Sequence, residues 1–316
     1  MQGRREWGQC GRSVPRAKDN SVANTGNDGV SGRGRGRGLL SACMPLEDHI
    51  GDICRKARLQ TQTALDAAAN AAGVAPAVLE HFESEGVCDA KLDVAGLAHA
   101  VGLNAAAAVR IATGWEPRAV DVARWSGLGM LTTKERFLVN SFVAWDAATL
   151  ECALFDTGWY AADFFALVER HGLRPQHLFI THTHGDHVAA LGEVRRRFPD
   201  IALHSNSSRA PAAQRVGQGQ VFAVGDLRVE SRLTPGHAED GVTYVVSHWP
   251  DAAPLVAVAG DTIFAGSLGK DFNTPELAQR AVREQILSLP LDTLICPGHG
   301  PLTTVGEERE NNPFFA

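Results

Sequence analysis

The stretch LFITHTHGDH, residues 178–187, decides the fold class of this chain and points to its chemistry. An apolar run typical of a buried strand end is followed by three histidines and one aspartate within six positions. Side chains two residues apart still point the same way where a strand ends, so His182 and His184 can reach one cation. Asp186 and His187 follow at the predicted start of the next helix, where they can reach a second cation. The stretch therefore predicts a metal site.

Three further ligand candidates lie later in the chain in similar local settings. His237 ends the sequence TPGH, Asp261 lies in GDT, and His299 lies in PGHG. Each follows a predicted strand, and each turn contains glycine, which lets the backbone bend toward a shared centre. Seven nitrogen and oxygen donors are too many for one tetrahedral ion but suit two ions that share a carboxylate and keep room for solvent. We therefore expect a binuclear, catalytic centre.

The order of these motifs resembles that of the metallo-β-lactamase-fold hydrolases, which carry HxHxDH, a downstream His, a downstream Asp and a last His. The resemblance covers roughly residues 125–316 and implies an α/β fold, the four-layer αβ/βα sandwich. It implies two divalent metal ions, expected to be zinc although His/Asp sets also accept iron or manganese. It assigns the first ion to His182, His184 and His237, the second to Asp186, His187 and His299, and the bridging position to Asp261. It also implies that Asp156, in FDTG, supports the metal loop from behind.

The residue at the bridging position indicates the subtype of hydrolase. Members that open β-lactam rings usually carry Cys where this chain has Asp261, so antibiotic hydrolysis is disfavoured. The segment GDTIFAGSLGK, residues 260–270, resembles glyoxalase II and its short bacterial relatives, which hydrolyse thioesters of hydroxy acids with glutathione. Lys270 matches the position that holds a substrate carboxylate in that family, although a lone Lys after Gly also suits a solvated surface charge. The tail at residues 305–315 resembles the end of the short relatives.

One departure from the family concerns the thiol half of the substrate. Full-length glyoxalase II carries a helical domain after the last metal histidine, whereas residues 300–316 follow His299 here. The resemblance therefore leaves the thiol half open.

The expected mechanism depends on the cations more than on the family. A water shared by two cations about 3.5–4 Å apart ionises near pH 7, and the resulting hydroxide is the expected nucleophile. The cations also stabilise the charge that develops on the acyl oxygen. Asp186 and Asp261 are the expected catalytic carboxylates, and Asp186 is a candidate proton shuttle as well as a ligand.

Alternative functions share the same ligand set. An iron-dependent persulfide dioxygenase uses this scaffold with one iron, and lactone or phosphodiester hydrolysis needs only the same metal pair. A third alternative is a ligand-responsive DNA-binding protein whose metal domain is the sensor.

The composition limits the classes of partner and the compartment. A net charge of −6 gives no reason to expect nucleic acid or an acidic membrane, and a small-molecule substrate is expected instead. No uninterrupted apolar run approaches the roughly 20 residues that cross a bilayer. The six cysteines show no CxxC spacing and lie outside the metal motifs, as in a reduced, cytoplasmic protein.

Residues 1–43 differ in composition from the rest of the chain. They are rich in Gly, Arg, Ser and Asn and include the repeat RGRGRG at 33–38. Such a segment buries too little apolar surface to offset its chain entropy, so we expect disorder. Contact with RNA or anionic surfaces is one interpretation, and a true start of translation at Met44 is the favoured one.

Residues 44–116 are predicted to form a small all-α domain. Helices are expected over 46–56, 63–72, 76–83, 94–101 and 105–112. The pattern resembles a Cro/repressor-type helix-turn-helix, with Ala75–Glu83 entering the major groove. The segment has five basic and ten acidic residues, so DNA binding is disfavoured and packing or homo-oligomerisation is preferred.

Residues 117–316 form the predicted catalytic domain. Strands are predicted over 137–143, 152–155, 178–180, 202–204, 221–224, 227–233, 242–247, 255–259 and 293–296. Helices are predicted over 162–171, 188–198 and 275–289, the last with Thr274 as cap and Pro275 at its first position.

Overall fold

A computed structural model describes residues 44–87, 91–270 and 274–316 of the chain. The disorder predicted for residues 1–43 lies outside the described residues. The first part of the described chain is helical: α1 Ile50–Gln60, α2 Leu65–Ala71, α3 Pro76–Glu85, α4 Val94–Ala100 and α5 Ala105–Ala112. No helix of the described chain is long and apolar enough to span a bilayer.

The N-terminal helices α1–α5 pack around small side chains. Ala68, Ala69, Ala72 and Ala98 are at most 1% exposed, which lets the helices approach closely around Leu79 and Leu97. The start predicted for the first helix, residue 46, is wrong. The helix begins at Ile50 because the His49 ring accepts a hydrogen bond from the backbone N–H of Asp52 at 3.0 Å and caps it there.

The remaining chain alternates strands and helices. The strands are β1 Leu128–Lys134, β2 Leu138–Trp145, β3 Glu151–Phe155, β4 Arg174–Phe179, β5 Ala202–His204, β6 Val221–Val224, β7 Leu227–Leu233, β8 Val242–Ser247, β9 Val256–Gly260, β10 Ile263–Phe264, β11 Ser267–Leu268, β12 Leu294–Pro297 and β13 Thr303–Thr304. The helices are α6 Ala162–His171, α7 Gly185–Val188, α8 Leu191–Arg197, α9 Pro275–Ala281 and α10 Val305–Asn311.

Two sheets face each other across the main apolar core. Sheet I has the order β1-β2-β3-β4-β5, and sheet II has the order β13-β12-β9-β8-β7-β6. Phe142, Phe155 and Phe179 from sheet I meet Tyr244 and Val258 from sheet II in that core. A second cluster joins sheet I to α6 and α8, and a third joins sheet II to the π-helical turn after α9. The predicted αβ/βα layering is therefore confirmed, with helices outside both sheets.

Several predicted elements differ from the structure. The helix predicted over 188–198 is two helices, α7 and α8, separated at Ala189–Ala190, so Asp186 and His187 lie within α7 rather than ahead of it. The helix predicted over 275–289 ends as an α-helix at Ala281 and continues as a π-turn over Val282–Ile286. Strands β1, β10, β11 and β13 and helix α10 were not predicted. Strand β1 is an edge strand with mostly half-buried side chains, so its polarity pattern is weak.

The described cysteines are unpaired. Cys54, Cys152 and Cys296 are buried and form no disulfide. Burial raises the pKa of both Cys54 and Cys152 to about 12, so these thiols are unreactive at neutral pH.

Glu308 of α10 is a fully buried carboxyl group. It accepts hydrogen bonds from the backbone N–H of Gly266 at 3.0 Å, the Thr303 hydroxyl at 2.7 Å and the Asn312 amide at 2.8 Å. Burial raises the pKa of Glu308 to about 7 and outweighs these hydrogen bonds, which favour the charged form. The group thereby ties α10 to the loop between β10 and β11.

This raised pKa predicts how stability depends on pH. The folded protein holds the Glu308 proton more tightly than the unfolded chain does. The stabilisation that this proton contributes is therefore complete below pH 4.5 and is lost as the pH rises through about 7. Glu308→Gln should remove the pH-dependent part of the free energy of unfolding that this group contributes, about 3 kcal/mol. Urea unfolding of metal-free wild type and variant at pH 5 and pH 8 would measure it. A difference between the two proteins that is the same at both pH values would contradict the assignment.

Candidate metal centre

The predicted ligands lie in loops that begin where strands end. The motif at residues 181–187 follows β4, and His237 follows β7. Asp261 follows β9 and His299 follows β12. The structure brings all seven side chains together, in groups whose donor atoms lie within 4.8 Å of one another: His182, His184 and His237; His182, His187 and Asp261; and Asp186, His187 and His299.

Three ring nitrogens of the first group converge on one point. Nδ1 of His184 lies 3.1 Å from Nε2 of His182 and 3.0 Å from Nε2 of His237. His182 is buried, whereas His184 is exposed, so this side of the centre is open to solvent. The predicted common orientation of His182 and His184 is what the structure shows.

The Asp261 carboxylate lies between the two groups of donors. One of its oxygens, Oδ2, is 3.5 Å from Nε2 of His237 and 3.3 Å from Nε2 of His299. The other, Oδ1, is 3.3 Å from Nε2 of His187. Asp186 completes the second group, with its Oδ2 3.3 Å from Nε2 of His299 and 3.4 Å from Nε2 of His187. A carboxylate in this position can contact two cations at once.

Backbone carbonyls decide which ring nitrogen of two ligands carries the proton. Nδ1 of His237 donates to the Lys270 carbonyl at 3.2 Å, and Nδ1 of His299 donates to the Leu138 carbonyl at 2.7 Å. Because a carbonyl oxygen can only accept, the inner Nε2 atom of each of these rings is free to present a lone pair.

Asp156 performs the same role for two other ligands. Its Oδ2 accepts from Nδ1 of His187 at 2.8 Å and from the Thr181 hydroxyl at 2.7 Å, while Oδ1 accepts from the Thr181 N–H at 2.8 Å. Since the Thr181 hydroxyl donates to the carboxylate, it accepts from Nδ1 of His182 at 3.1 Å. Asp156 thus supports the loop from behind, as the resemblance implies.

The inner atoms of the centre fit divalent cations. Nε2 of His187 and Oδ1 of Asp261 are buried and have no hydrogen-bond partner among the described residues, which is costly unless a cation satisfies them. Burial lowers the pKa of His182 to about 2, so its ring stays neutral and able to coordinate. Burial also disfavours charge on His299, but Asp186 and Asp261 outweigh that and raise its pKa to about 11 without a cation. Imidazole and carboxylate donors of this kind suit zinc, iron or manganese.

Gly298 lies against the inner face of this centre and provides a test of it. A Cβ atom at residue 298 would contact Oδ1 of Asp261 and would lie 2.6 Å from Cε1 of His187. Gly298→Ala should therefore displace both ligands and weaken metal binding at least tenfold. Gly185→Ala is the matched control, because its Cβ would have no atom within 4 Å. Competition with a chromophoric chelator measures the metal affinity of both variants. Equal metal affinities of Gly298→Ala and Gly185→Ala would contradict this geometry.

Other predicted and unpredicted residues surround the centre. The Lys270 side chain is exposed, and its role in holding substrate stays a prediction. Phe137, which was not singled out from the sequence, is 47% exposed and packs its ring 5.5 Å from that of His299. Trp159 packs edge-on against Phe137 at 5.4 Å. The Thr181 role was also missed, although its place directly before the first metal histidine was a usable signal.

Comparison with protein families places the metal loops in a known group. The profile of the Metallo-beta-lactamase superfamily matches residues 135–299. Among solved structures, BLEG-1, a B3 metallo-beta-lactamase, aligns with a TM-score of 0.51 at 26% identity, covering 60% of this chain and 99% of that one.

Curated relatives are similar over the same part of the chain. A probable metallo-hydrolase of Bacillus subtilis, YqgX, is 31% identical over 189 residues, which is 52% of this chain and 87% of that protein. The hydroxyacylglutathione hydrolase GloC of Haemophilus influenzae is 28% identical over 57% of this chain and 93% of its own length. The hydroxyacylglutathione hydrolase of Xanthomonas euvesicatoria is 30% identical over 48% of this chain, and the match spans only 58% of that protein. The similarity thus covers the metal loops and leaves α1–α5 outside the superfamily match.

Proposed function

The chain belongs to the metallo-beta-lactamase superfamily, and from that premise we propose a binuclear hydrolase that cleaves thioesters of the hydroxyacylglutathione type. That it is a metallo-hydrolase follows from the superfamily and from its hydrolase-named relatives. The observation that carries the proposal is the pair of donor groups joined by Asp261. The similarity to GloC over nearly all of that protein supports the thioester substrate.

The residues of the chain define the reaction. When bound, two cations supply Lewis acidity to a water molecule and to the acyl oxygen. His182, His184 and His237 would hold the first cation, His187, His299 and Asp186 the second, and Asp261 both. Asp156 and Thr181 keep two of these rings in the coordinating tautomer.

Asp186 is the proposed proton carrier. It is half-buried, whereas Asp261 is 7% exposed, so Asp186 is the carboxylate that reaches solvent more readily. It can accept the proton of an attacking water and pass it outward. A thiolate leaves without much help from an acid, so no second proton donor is required.

A substrate panel tests the proposal. Zinc-loaded protein would be assayed with S-lactoylglutathione, a lactone and a phosphodiester under the same conditions. Preferred turnover of the thioester is expected. Phosphodiester or lactone turnover that exceeds thioester turnover would replace the proposed substrate class with that one.

Metal analysis distinguishes the proposed hydrolase from the alternative, an iron-dependent persulfide dioxygenase. Protein purified from its own host should contain two metal ions per chain, with zinc expected. One iron per chain, together with oxygen uptake on glutathione persulfide, would instead establish the persulfide dioxygenase.

Cytoplasmic location and homo-oligomerisation through α1–α5 are further parts of the proposal, and gel filtration tests the second.

A further inference from the structure

The N-terminal helices pack directly against the loop that follows the bridging aspartate. Leu268 of β11 and Ala278 of α9 belong to the same apolar cluster as the helix residues Phe82 and Leu97. Leu268 is 1% exposed, so this loop is covered by helices that lie outside the residues matched by the superfamily. One side of the metal centre therefore depends on a part of the chain that the superfamily does not supply.

A buried ion pair fixes the segment before α1 to that loop. Lys56 is 3% exposed and Asp48 is 6% exposed, and their side chains form a salt bridge. The Lys56 ammonium also donates to the Leu268 carbonyl at 2.8 Å and lies 5.5 Å from the centre of the Phe264 ring. Buried charges need such complete pairing, so residues 47–48 are held in one place relative to the metal loops.

Glu47, the residue before this pair, lies beside the last metal ligand. A Cβ atom at Gly300 would lie 3.0 Å from the Glu47 backbone nitrogen and 3.3 Å from the Glu47 Cβ. Gly300 has a φ of +72° and directly follows His299 in the chain. The glycine permits both the left-handed backbone and the close approach of Glu47.

The Glu47 carboxylate is an exposed charge on the His299 side of the centre. The Glu47 side chain is exposed, and among the residues that the structure describes it has no salt-bridge partner, because Lys56 pairs with Asp48. Partial desolvation raises the pKa of Glu47, His299 and Lys56 oppose that rise, and Asp48 and Asp261 add to it. The carboxylate therefore lies within electrostatic range of His299 and Asp261, and its charge also acts on a group that binds near them.

We propose that Glu47 is a specificity-determining residue, which favours thiol halves that carry an ammonium group, as glutathione does, over thiol halves that carry only a carboxylate. The inference rests on the proposed function, in which the hydroxyacyl half is uncharged and only the thiol half varies in charge. The Lys270 carbonyl contacts His237, and Glu47 lies against Gly300 beside His299, so residues of opposite charge belong to the two sides of the centre. A thiol half that carries both an ammonium and a carboxylate would be oriented between them.

Thiol binding tests the inference independently of turnover. Cobalt-loaded protein at pH 8 and low salt would be titrated with thiocholine, a cation, and with 3-mercaptopropionate, an anion, and followed by visible absorption. In Glu47→Gln the preference for the cation should fall about fivefold, and in Glu47→Lys it should fall further. Glu80→Gln, at an exposed position of α3, is the control for the same loss of charge elsewhere in the N-terminal part of the chain. Melting temperatures of all variants exclude unfolding.

The outcomes separate this inference from the proposed function. A ratio of the two dissociation constants that is equal in wild type and Glu47→Gln would overturn the role of Glu47, whatever the protein hydrolyses. A ratio that shifts as expected supports it, even if S-lactoylglutathione is not hydrolysed and the thioesterase proposal fails. Where thioesters are hydrolysed, kcat/KM for lactoyl esters of the same two thiols should shift by the same factor.

Discussion

Asp261→Ala is expected to lower kcat/KM for S-lactoylglutathione about a thousandfold or more. The carboxylate lies within 3.5 Å of ring nitrogens from His187, His237 and His299, so its removal separates the two donor groups. Those three ring nitrogens would lose their shared partner. Metal content should fall by about one ion per chain, because no other carboxylate among the described donors of the centre joins both groups.

The control for Asp261 is an aspartate of similar chemistry outside the centre. Asp200 is exposed, and Asp200→Ala should retain both metal content and turnover. Steady-state kinetics and elemental analysis on the same preparations measure both effects. Full activity of Asp261→Ala with two ions bound would refute a bridging role, whereas full loss of activity with both ions retained would assign Asp261 to catalysis alone.

Asp156→Ala is expected to weaken metal binding about 10- to 100-fold without removing any ligand. Asp156 accepts three hydrogen bonds, two from Thr181 and one from His187, and it is 2% exposed. Its loss leaves these donors unpaired and frees the His187 ring to adopt the other tautomer. The same unpaired groups should lower the free energy of unfolding by about 2–4 kcal/mol.

Asp146 provides a matched control for the structural part of this effect. It is 6% exposed and accepts three backbone hydrogen bonds, from Ala148, Thr149 and Asp226, outside the described donors of the centre. Asp146→Ala should therefore destabilise the fold by a similar amount and leave metal affinity unchanged. Chelator competition and urea unfolding distinguish the two variants. Equal losses of metal affinity in both would mean that Asp156 acts only through stability.

The strands around the centre were predictable because their patterns are local. β5, β6, β7 and β8 have the predicted bounds, since each is an alternating or continuous apolar run closed by turn residues. β1 was not predictable in this way, because its apolar and polar residues do not alternate and most of its side chains are half-buried. The break between α7 and α8 also has no strong signal, because Ala189 and Ala190 favour a helix in isolation.

The sequence by itself determined the set of seven candidate donors, because each of them lies in a short loop after a predicted strand and can be recognised within a few residues. Only the tertiary structure decided which backbone carbonyls orient His237 and His299, and that Glu47 lies beside Gly300. The Leu138 carbonyl reaches His299 across a separation of 161 residues. Such contacts arise when two sheets and a layer of helices pack together, and the geometry of that packing depends on the whole core rather than on any local pattern.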